Sequence, residues 1–398
     1  MLKDRFLKYV SFDTQSSEES STFPSTLKQL ELAKELVNEL KELGISNAFL
    51  DEFGYVYGIL EGKINKKIGL ISHMDTALEM PGKDVKPNII EKYDGKDIKL
   101  PNGLEIKIED FPFLASLKGD TLITTSGDTL LGADDKAGIA IIMTLLEKLI
   151  KEQIPHPTIY VCFTPDEEVG MGTEHFNYDF FKVDFAYTLD GGLIDEINYE
   201  NFNAASLKVE IQGNTIHPGS AKNKLINSME IAHEFHSMLP KTQKPEYTEK
   251  YEGFFHLTEM FGEVQFTTLK YIIRDHDINK FNQKKQIVKD IESYLNKKYG
   301  VIIKITINDS YLNMAELINK HPEILFYPEE SLKKHNINAK FIPIRGGTDG
   351  ARLSYGGILT PNLGTGSFNH HGAREIADVN QMNTQVEVLF TMLTKVIK

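Results

Sequence analysis

Short clusters of histidine and acidic residues recur along this chain, and such side chains bind divalent cations and move protons. The clusters are His73-Met74-Asp75, Asp134-Asp135, Asp166-Glu167-Glu168, Asp190-Gly191-Gly192 and His370-His371-Gly372. Taken singly, each is typical of a helix cap or a solvated turn. Five clusters, each expected at the carboxyl end of a strand or in a glycine-flanked turn, are a poor fit to chance. Together they predict a metal centre.

The donor atoms of these clusters indicate which metal would be bound. They are imidazole nitrogens and carboxylate oxygens, because the single cysteine, Cys162, lies inside a predicted buried strand. Such a set suits zinc, with manganese or cobalt as substitutes. Two imidazoles and three carboxylates are too many ligands for one open tetrahedral zinc. They fit two ions about 3.5–4 Å apart that share one carboxylate and a bridging water as nucleophile.

The elements that must position these clusters alternate between helix and strand in the first half of the chain. Buried-strand patterns cover 67–72, 158–163 and 185–189, and a helical apolar stripe covers 26–43. A second helix is predicted over about 135–151. This alternation predicts an α/β fold with a mainly parallel central sheet. Binding sites in such sheets lie at the carboxyl ends of the strands, which is where the clusters stand.

The pattern changes near Ala204. Residues 205–212, 269–275 and 301–308 alternate like strands, and residues 227–239 and 278–299 have helical spacing. This second region predicts a smaller α+β domain with a four-stranded antiparallel sheet and two helices. We therefore expect a discontinuous catalytic domain at 1–203 and 313–398, interrupted by a lid or dimerisation domain at 204–312.

Composition and charge exclude several classes of protein. Lys and Arg total 44 against 57 Asp and Glu, and the formal net charge of −13 argues against a nucleic-acid partner. A single cysteine excludes an internal disulfide. The longest apolar run, 137–146, is too short to cross a bilayer, and the charged N-terminal residues do not resemble a signal peptide. We expect a cytoplasmic protein with no membrane partner.

Ten motifs carry a resemblance to a known enzyme family. In chain order they are HMDT, LLGADDKAGIA, FTPDEEVG, TLDGG, NFNAAS, HPG, YEGF, YIIRD, IRGGTDG and HHG. In order and extent they resemble the tripeptide aminopeptidases of the M20 family of dinuclear zinc peptidases. The resemblance implies a zinc-dependent enzyme that releases the N-terminal residue from tripeptides. It also implies an α/β catalytic domain interrupted by a smaller α+β lid, and it allows a homodimer.

The family pattern, carried onto this sequence residue by residue, implies two metal sites. Asp134 would bridge two zinc ions in each subunit. His73 and Asp190 would complete one site, and Glu168 and His371 would complete the other.

The same pattern implies roles for residues that do not bind metal. Asp75 would hold His73 in one tautomer, and Glu167 would be the general base that later protonates the leaving amine. His217, in the HPG motif, would donate a hydrogen bond to the oxyanion, from the partner subunit in dimeric members. Candidates for holding a substrate carboxylate or the oxyanion are Arg345, Thr348, Arg274 and Asn227.

Other interpretations stay open at the level of the sequence. The same scaffold could carry a dipeptidase, an aminoacylase or a carboxypeptidase, because the substrate end that is gripped depends on pocket geometry. A catalytically inactive, peptide-binding relative is the alternative from another class, and it would lack the base or a ligand. Glu167, Asp134 and His371 are all present.

Overall fold

The computed structural model describes residues 2–398 of the chain. The helices are α1 Leu2–Val10, α2 Gln29–Glu42, α3 Ala133–Glu152, α4 Ser228–Met238, α5 Ile278–Tyr299, α6 Ala315–Ile318, α7 Glu323–Lys334, α8 Asp349–Tyr355 and α9 Val379–Thr391. The strands are β1 Phe49–Leu50, β2 Val56–Leu60, β3 Ile64–His73, β4 Asn88–Ile90, β5 Ile98–Lys99, β6 Glu105–Ile106, β7 Leu122–Thr124, β8 Pro157–Thr164, β9 Phe185–Gly191, β10 Glu196–Asn198, β11 Asn203–Gln212, β12 Phe254–Gly262, β13 Phe266–Asp275, β14 Ile303–Tyr311, β15 Lys340–Phe341, β16 Asn362–Gly364, β17 Ser367–Phe368 and β18 Ile376–Asp378. Within residues 2–398, none of the helices is both long and apolar enough to cross a membrane.

The chain divides into two compact units. The first unit contains Met1–Tyr199, Glu316–Ile342 and Thr348–Lys398, and the second contains Glu200–Ala315 and Pro343–Gly347. Each unit has its own sheet and its own core of buried apolar side chains.

The first unit is built on an eight-stranded mixed sheet in the order β1-β2-β8-β3-β9-β16-β10-β15. Its four central strands, β8, β3, β9 and β16, run parallel to one another. On the two flanks, β2 pairs antiparallel with β8 and β10 pairs antiparallel with β16. The predicted parallel sheet is therefore confirmed at its centre. A smaller sheet in the same unit has the order β17-β18-β7-β4.

Helix α3 is the central packing element of the first unit. Its apolar side chains Ile139, Ile142, Met143, Leu146 and Leu149 are at most 1% exposed. The helix contacts β3 and β9 of the large sheet, and it also contacts α1 and α9. Burying each side chain of this size contributes about 1.5–3 kcal/mol relative to leaving it exposed. This packing anchors the start of α3, which carries Asp134, against the sheet.

The second unit is a four-stranded antiparallel sheet in the order β12-β13-β11-β14, with helices α4 and α5 packed against it. Leu207 and Val209 of β11 pack with Phe235 of α4 and Leu295 of α5 in its core. The predicted α+β region with two helices is confirmed. The strand that the sequence does not locate is β12, most of which is exposed and therefore lacks a clear alternation.

Candidate active site

The predicted metal ligands of the first unit gather at one edge of its large sheet. His73 is the last residue of β3, Asp190 lies near the end of β9, and Glu168 follows β8. These strands are parallel neighbours, so their carboxyl ends lie at the same edge. The order of the strands brings three ligands together, and Asp134 at the start of α3 adds a fourth.

Helix α3 can begin close to the sheet because residue 138 is a glycine. A Cβ atom on Gly138 would lie 2.1 Å from the carbonyl oxygen of Leu189 and 2.4 Å from Oγ of Ser72. A larger side chain would push the start of the helix away from the ends of β3 and β9. The second glycine of the GADDKAG motif therefore helps to set the distance between Asp134 and the ligands borne by the strands.

The Asp134 carboxylate lies between two histidines. Its Oδ1 is 2.9 Å from Nε2 of His73, and its Oδ2 is 3.3 Å from Nε2 of His371. Each oxygen therefore faces a different imidazole. A carboxylate that shares two cations needs this arrangement.

The two remaining predicted ligands lie on opposite sides of Asp134, each beside one of the histidines. On one side, Oδ1 of Asp190 is 3.8 Å from Nε2 of His73. On the other, Oε2 of Glu168 is 3.0 Å from Nε2 of His371. Ligand atoms of His73, Asp134 and Glu168 all lie within 4.8 Å of one another. The structure thus brings all five predicted ligands into one cluster with two sides.

The surroundings of the cluster fit divalent cations. Oε1 of Glu168 is buried and has no hydrogen-bond partner within residues 2–398. Burial raises the pKa of Glu168 to about 7, and the charge of Asp134 adds to the shift. Burial also raises the pKa of Asp190. Crowded, buried carboxylates are stabilised in their ionised form by a nearby positive charge, so this nitrogen and oxygen donor set fits a metal.

Asp135 is an alternative ligand, since its carboxylate, with His73 and Asp190, forms a second group of ligand atoms within 4.8 Å of one another. Its oxygens, however, already accept from the backbone N–H groups of His73 at 3.3 Å and Gly138 at 3.2 Å. Burial raises the pKa of Asp135 well above its ordinary value. For Asp134, burial is outweighed by the neighbouring histidines, and its pKa lies well below its ordinary value. The imidazoles that face Asp134 and the backbone N–H groups that occupy Asp135 therefore favour Asp134 as the ligand.

His370 also lies close to the cluster, with Nδ1 3.3 Å from Oδ2 of Asp134. Its other ring nitrogen is 2.8 Å from Oγ of Ser367. His371 contacts both Asp134 and Glu168, and these hydrogen bonds raise its pKa to about 12. The geometry therefore favours His371 as the ligand.

Asp75 connects the histidine on β3 to the two glutamates after β8. Its Oδ1 is 3.4 Å from Nδ1 of His73, on the side of the ring opposite Asp134. The same carboxylate accepts from the backbone N–H of Glu167 at 3.0 Å and from that of Glu168 at 3.1 Å. Asp75 is fully buried. Nδ1 of His73 is also 3.1 Å from the backbone carbonyl oxygen of Asp75. Asp75 therefore orients the ring of His73 through both groups, and its carboxylate fixes the turn that carries both glutamates.

Glu167 has the environment of a proton-transfer group. Burial raises its pKa well above the ordinary value, and the charge of Asp190 raises it further. A carboxyl group with a raised pKa holds a proton more readily, as a group that accepts and then returns a proton must do.

His217 lies in the second unit, where its side chain is exposed. Its Nδ1 accepts a hydrogen bond from the backbone N–H of Gly219 at 3.1 Å. A neutral imidazole that accepts at Nδ1 carries its proton on Nε2, so the outer nitrogen is a hydrogen-bond donor. Nε2 is therefore the ring nitrogen that could donate to an oxyanion.

The predicted substrate-binding arginines contact backbone groups of the second unit. Arg345 donates to the carbonyl oxygens of Thr248 at 3.3 Å, Lys250 at 2.6 Å and Glu252 at 3.2 Å. Arg274 donates to the carbonyl oxygen of Arg345 at 3.1 Å. Both guanidinium groups thus hold a loop in place, and their substrate role stays a prediction.

The other two predicted substrate-binding residues are helix caps. Asn227 accepts from the backbone N–H of Met229 at 3.0 Å at the start of α4, and Thr348 accepts from that of Gly350 at 3.3 Å at the start of α8. Such capping hydrogen bonds explain these residue types without a ligand.

Two acidic residues beside the cluster are not predicted from the sequence. Oε1 of Glu79 is 3.3 Å from Nδ1 of His371, 292 residues away along the chain. The buried Glu375 accepts from the backbone N–H of Asp134 at 3.0 Å across 241 residues. Spacing in the sequence cannot reveal contacts at such separations. The only local signal is that each follows a ligand-bearing motif by a few residues.

Two family models match parts of the chain. Residues 199–302 match the peptidase dimerisation domain of the M20 family, and residues 115–227 match M42 glutamyl aminopeptidase. The first range covers most of the second unit, and the second contains Asp134, Glu167, Glu168 and Asp190.

Solved structures with this fold include the aminopeptidase PepT of Bacillus cereus, with a TM-score of 0.79 at 22% identity, covering 100% of this chain and 98% of that one. A tripeptidase of Staphylococcus aureus aligns with a TM-score of 0.79 at 23% identity and the same coverage. At these identities the likeness shows the fold alone.

Similarity to curated sequences is much higher. Peptidase T of Clostridium perfringens is 52% identical over 395 residues, covering 98% of this chain and 97% of the relative. Peptidase T of Caldanaerobacter subterraneus is 51% identical over 393 residues, covering 97% of this chain and 96% of the relative. The resemblance read from the motifs is confirmed, and the chain belongs to the peptidase T family of M20 peptidases.

Proposed function

We propose that this protein is a metal-dependent aminopeptidase that releases the N-terminal residue from tripeptides. The observation that carries the proposal is the Asp134 carboxylate, each oxygen of which faces one histidine of a two-sided ligand cluster. The half-buried Glu167 stands next to that cluster with a raised pKa. Identity of about half over nearly the full length to relatives named peptidase T supports the choice of substrate.

We assign two Zn²⁺ ions to the cluster. His73 and Asp190 would hold one ion, Glu168 and His371 the other, and Asp134 both. Zinc suits these ligands, and manganese or cobalt would suit them too. When bound, the metal pair supplies Lewis acidity toward the peptide carbonyl and an acidified water.

The protein's own groups then handle the proton and the developing charge. Glu167 takes a proton from the attacking water and returns it to the leaving amine, while Asp75 keeps His73 and the backbone of Glu167 in place. His217 donates from Nε2 to the oxyanion, the role that the family resemblance gives it. Arg345, Arg274, Thr348 and Asn227 remain candidates for contacting the substrate ends.

We further propose that the protein forms a homodimer through its second unit. The match of residues 199–302 to the M20 peptidase dimerisation domain supports this assembly. A cytoplasmic location stays a prediction from the sequence.

In the direct test, zinc-loaded protein is incubated with di-, tri- and tetrapeptides built from the same residues. The products are then identified by mass spectrometry. We expect a free N-terminal residue and a dipeptide from tripeptides, with little cleavage of the other lengths. Cleavage of dipeptides alone would identify a dipeptidase, and release of the C-terminal residue a carboxypeptidase. Hydrolysis of acylated amino acids but not of peptides would identify an aminoacylase.

The control for contaminating peptidases is the Glu167→Gln variant, purified in the same way. It keeps the fold and the ligands but lacks the proposed base, so its preparation should release almost no product. Equal activity in both preparations would contradict the assignment of the activity to this site.

A further inference from the structure

Glu375 is a buried carboxylate beside the ligand cluster, and the proposed chemistry gives it no role. It immediately precedes β18, and its side chain is 1% exposed. Its Oε2 accepts from the backbone N–H of Leu131 at 2.6 Å and of Gly132 at 2.9 Å, and its Oε1 accepts from that of Asp134 at 3.0 Å. One carboxylate therefore binds three backbone N–H groups of the loop that leads into α3.

The two ends of this connection are themselves held in place. Glu375 adjoins β18, which pairs with β17 on one side and with β7 on the other. The loop at 131–134 leads directly into α3, whose side chains fill the core. A shift of Glu375 would therefore be transmitted to the backbone of Asp134 rather than absorbed by a mobile segment.

Glu375 also joins two segments that carry metal ligands. His371 precedes it by four residues, and Asp134 is bound through its own backbone N–H. The separation between Oδ2 of Asp134 and Nε2 of His371 is 3.3 Å. The hydrogen bonds to Glu375 therefore connect the loop that carries Asp134 to the segment that carries His371.

The buried side chain of Lys136 packs against the same loop. Lys136 is 1% exposed, and its Nζ donates to the carbonyl oxygen of Phe12 at 2.8 Å. A Cβ atom on Gly132 would lie 3.4 Å from this Nζ, so the ammonium packs against the loop that Glu375 binds. Two buried side chains, Glu375 and Lys136, therefore pack against this loop.

We propose that Glu375 is a positioning residue for the metal centre. Through its hydrogen bonds, Glu375 holds Asp134 where its two carboxylate oxygens reach both groups of ligands. This inference rests on the proposed bridging role of Asp134. A glutamine at position 375 would present an amide N–H₂ to at least one of the three backbone donors, and the loop would move. Because Asp134 serves both sides of the cluster, such a movement weakens both metal sites together.

The test compares Glu375→Gln with the unchanged protein by titrating the metal-free forms with Zn²⁺ against a chromophoric chelator. We expect the affinity for both ions to fall by about 10–100-fold, the usual effect of removing a partner that orients a ligand. In the Co²⁺-loaded form, the visible absorption bands should change in position or intensity, because they report ligand geometry. The kcat for a tripeptide should fall while KM changes little.

The control is Asp378→Ala, which removes a second buried carboxylate, the one at the end of β18. Asp378 accepts from the backbone N–H of Asn380 at 2.8 Å and of Gln381 at 3.1 Å, and neither residue carries a ligand. Asp378→Ala should lower the unfolding temperature and leave Zn²⁺ affinity and the Co²⁺ spectrum unchanged. Equal losses of metal affinity in both variants would overturn the proposal, because general destabilisation would then explain them.

Further outcomes separate this inference from the function on which it rests. A folded Glu375→Gln protein with unchanged Zn²⁺ affinity and spectrum would overturn the positioning role. If Glu375→Gln does not fold, Glu375→Asp decides by the same measurements, since it keeps the charge but is one methylene too short to reach all three donors. If the unchanged protein binds fewer than two ions, the dinuclear centre itself is wrong. If Asp134→Ala retains both ions, the bridging role of Asp134 is wrong.

Discussion

Among single residues, the adjacent glutamates Glu167 and Glu168 share one backbone anchor and differ in what their carboxylates contact. Both backbone N–H groups donate to Asp75, so the turn is fixed. Glu168 turns toward His371, with Oε2 3.0 Å from Nε2. We expect Glu167→Gln, which cannot accept a proton, to lower kcat by about 10²–10⁴-fold. Steady-state assays on a tripeptide would measure this loss.

The matched variant is Glu168→Gln, and elemental analysis of both proteins is the control. Glu167→Gln should keep a metal content near two ions per chain, whereas Glu168→Gln should lose one. If Glu167→Gln empties a site and Glu168→Gln does not, the roles of the two residues are exchanged.

The position of Asp134 between the histidines leads to a second prediction at this scale. We expect Asp134→Ala to weaken both metal sites, since each of its oxygens faces one group of ligands. His73→Ala should mainly weaken the site that includes Asp190. Zinc titration followed by calorimetry would resolve two weakened sites in the first variant and one in the second. A single tightly bound ion in the unchanged protein would contradict the dinuclear arrangement.

At the scale of elements, periodicity alone predicts much of the first unit. Strands predicted at 67–72 and 158–163 occur at Ile64–His73 and Pro157–Thr164, and the helix predicted at 135–151 occurs at Ala133–Glu152. These elements are buried on one or both faces, so their apolar residues form a clear periodic pattern in the sequence. Histidine and acidic residues follow these strands directly. The ligand cluster could therefore be predicted once the strands had been located.

What the sequence could not provide depends on contacts between distant or exposed segments. Strand β12 has mostly exposed residues and no clear alternation. The pairs His371 with Glu79 and Asp134 with Glu375 join residues hundreds of positions apart. The choice of Asp134 over Asp135 depends on which carboxylate faces the imidazoles, and this is a property of the folded backbone.

The start of α9 gives a prediction at this scale. Asp378 caps the helix through the backbone N–H groups of Asn380 and Gln381. Burial raises the pKa of Asp378 to about 7, and the charge of Asp120 contributes. Above pH 7 the carboxylate of Asp378 is ionised and is repelled by the charge of Asp120. Asp120→Asn should therefore stabilise the protein at pH 8 by up to about 1 kcal/mol, since one pKa unit corresponds to about 1.4 kcal/mol.

The pH dependence of this gain is its control. At pH 5 the folded protein keeps Asp378 protonated, so Asp120→Asn should bring little stability there. Urea unfolding at both pH values would measure the difference. A gain of the same size at pH 5 and pH 8 would show that the charge of Asp120 is not the cause.

At the scale of the whole molecule, the exposed His217 of the second unit is the residue whose role depends on assembly. We expect His217→Ala to lower kcat by about 10²–10³-fold if its Nε2 donates to the oxyanion. Metal content should be unchanged, because no ligand is lost. Mixing inactive His217→Ala with inactive Glu167→Gln protein should restore part of the activity if the histidine acts in the neighbouring subunit. No rescue, with subunit exchange demonstrated, would place it in the site of its own chain.

The stability of the whole molecule should depend on pH in a direction set by its buried carboxylates. Burial raises the pKa of Glu168 and that of Asp349 to about 7 in the folded, metal-free protein. In the unfolded chain the pKa values of these groups are about 4. Between pH 4 and 7 the folded state therefore binds more protons than the unfolded state, and the free energy of unfolding falls as the pH rises.

Bound metal should reverse this trend, because a cation takes the place of the protons and favours the ionised carboxylates. We expect the unfolding temperature of the metal-free protein to fall from pH 5 to pH 7.5, and the increase caused by zinc to grow over the same range. Differential scanning calorimetry at several pH values, with and without zinc, measures both. Asp349→Asn provides the matched control, since an amide can still accept the hydrogen bond that Thr164 donates at 3.0 Å but has no charge to titrate. Its metal-free form should lose less stability between pH 5 and pH 7.5. A metal-free protein that becomes more stable over this range would contradict the raised pKa values, and with them the argument that the cluster needs cations to hold its carboxylates ionised.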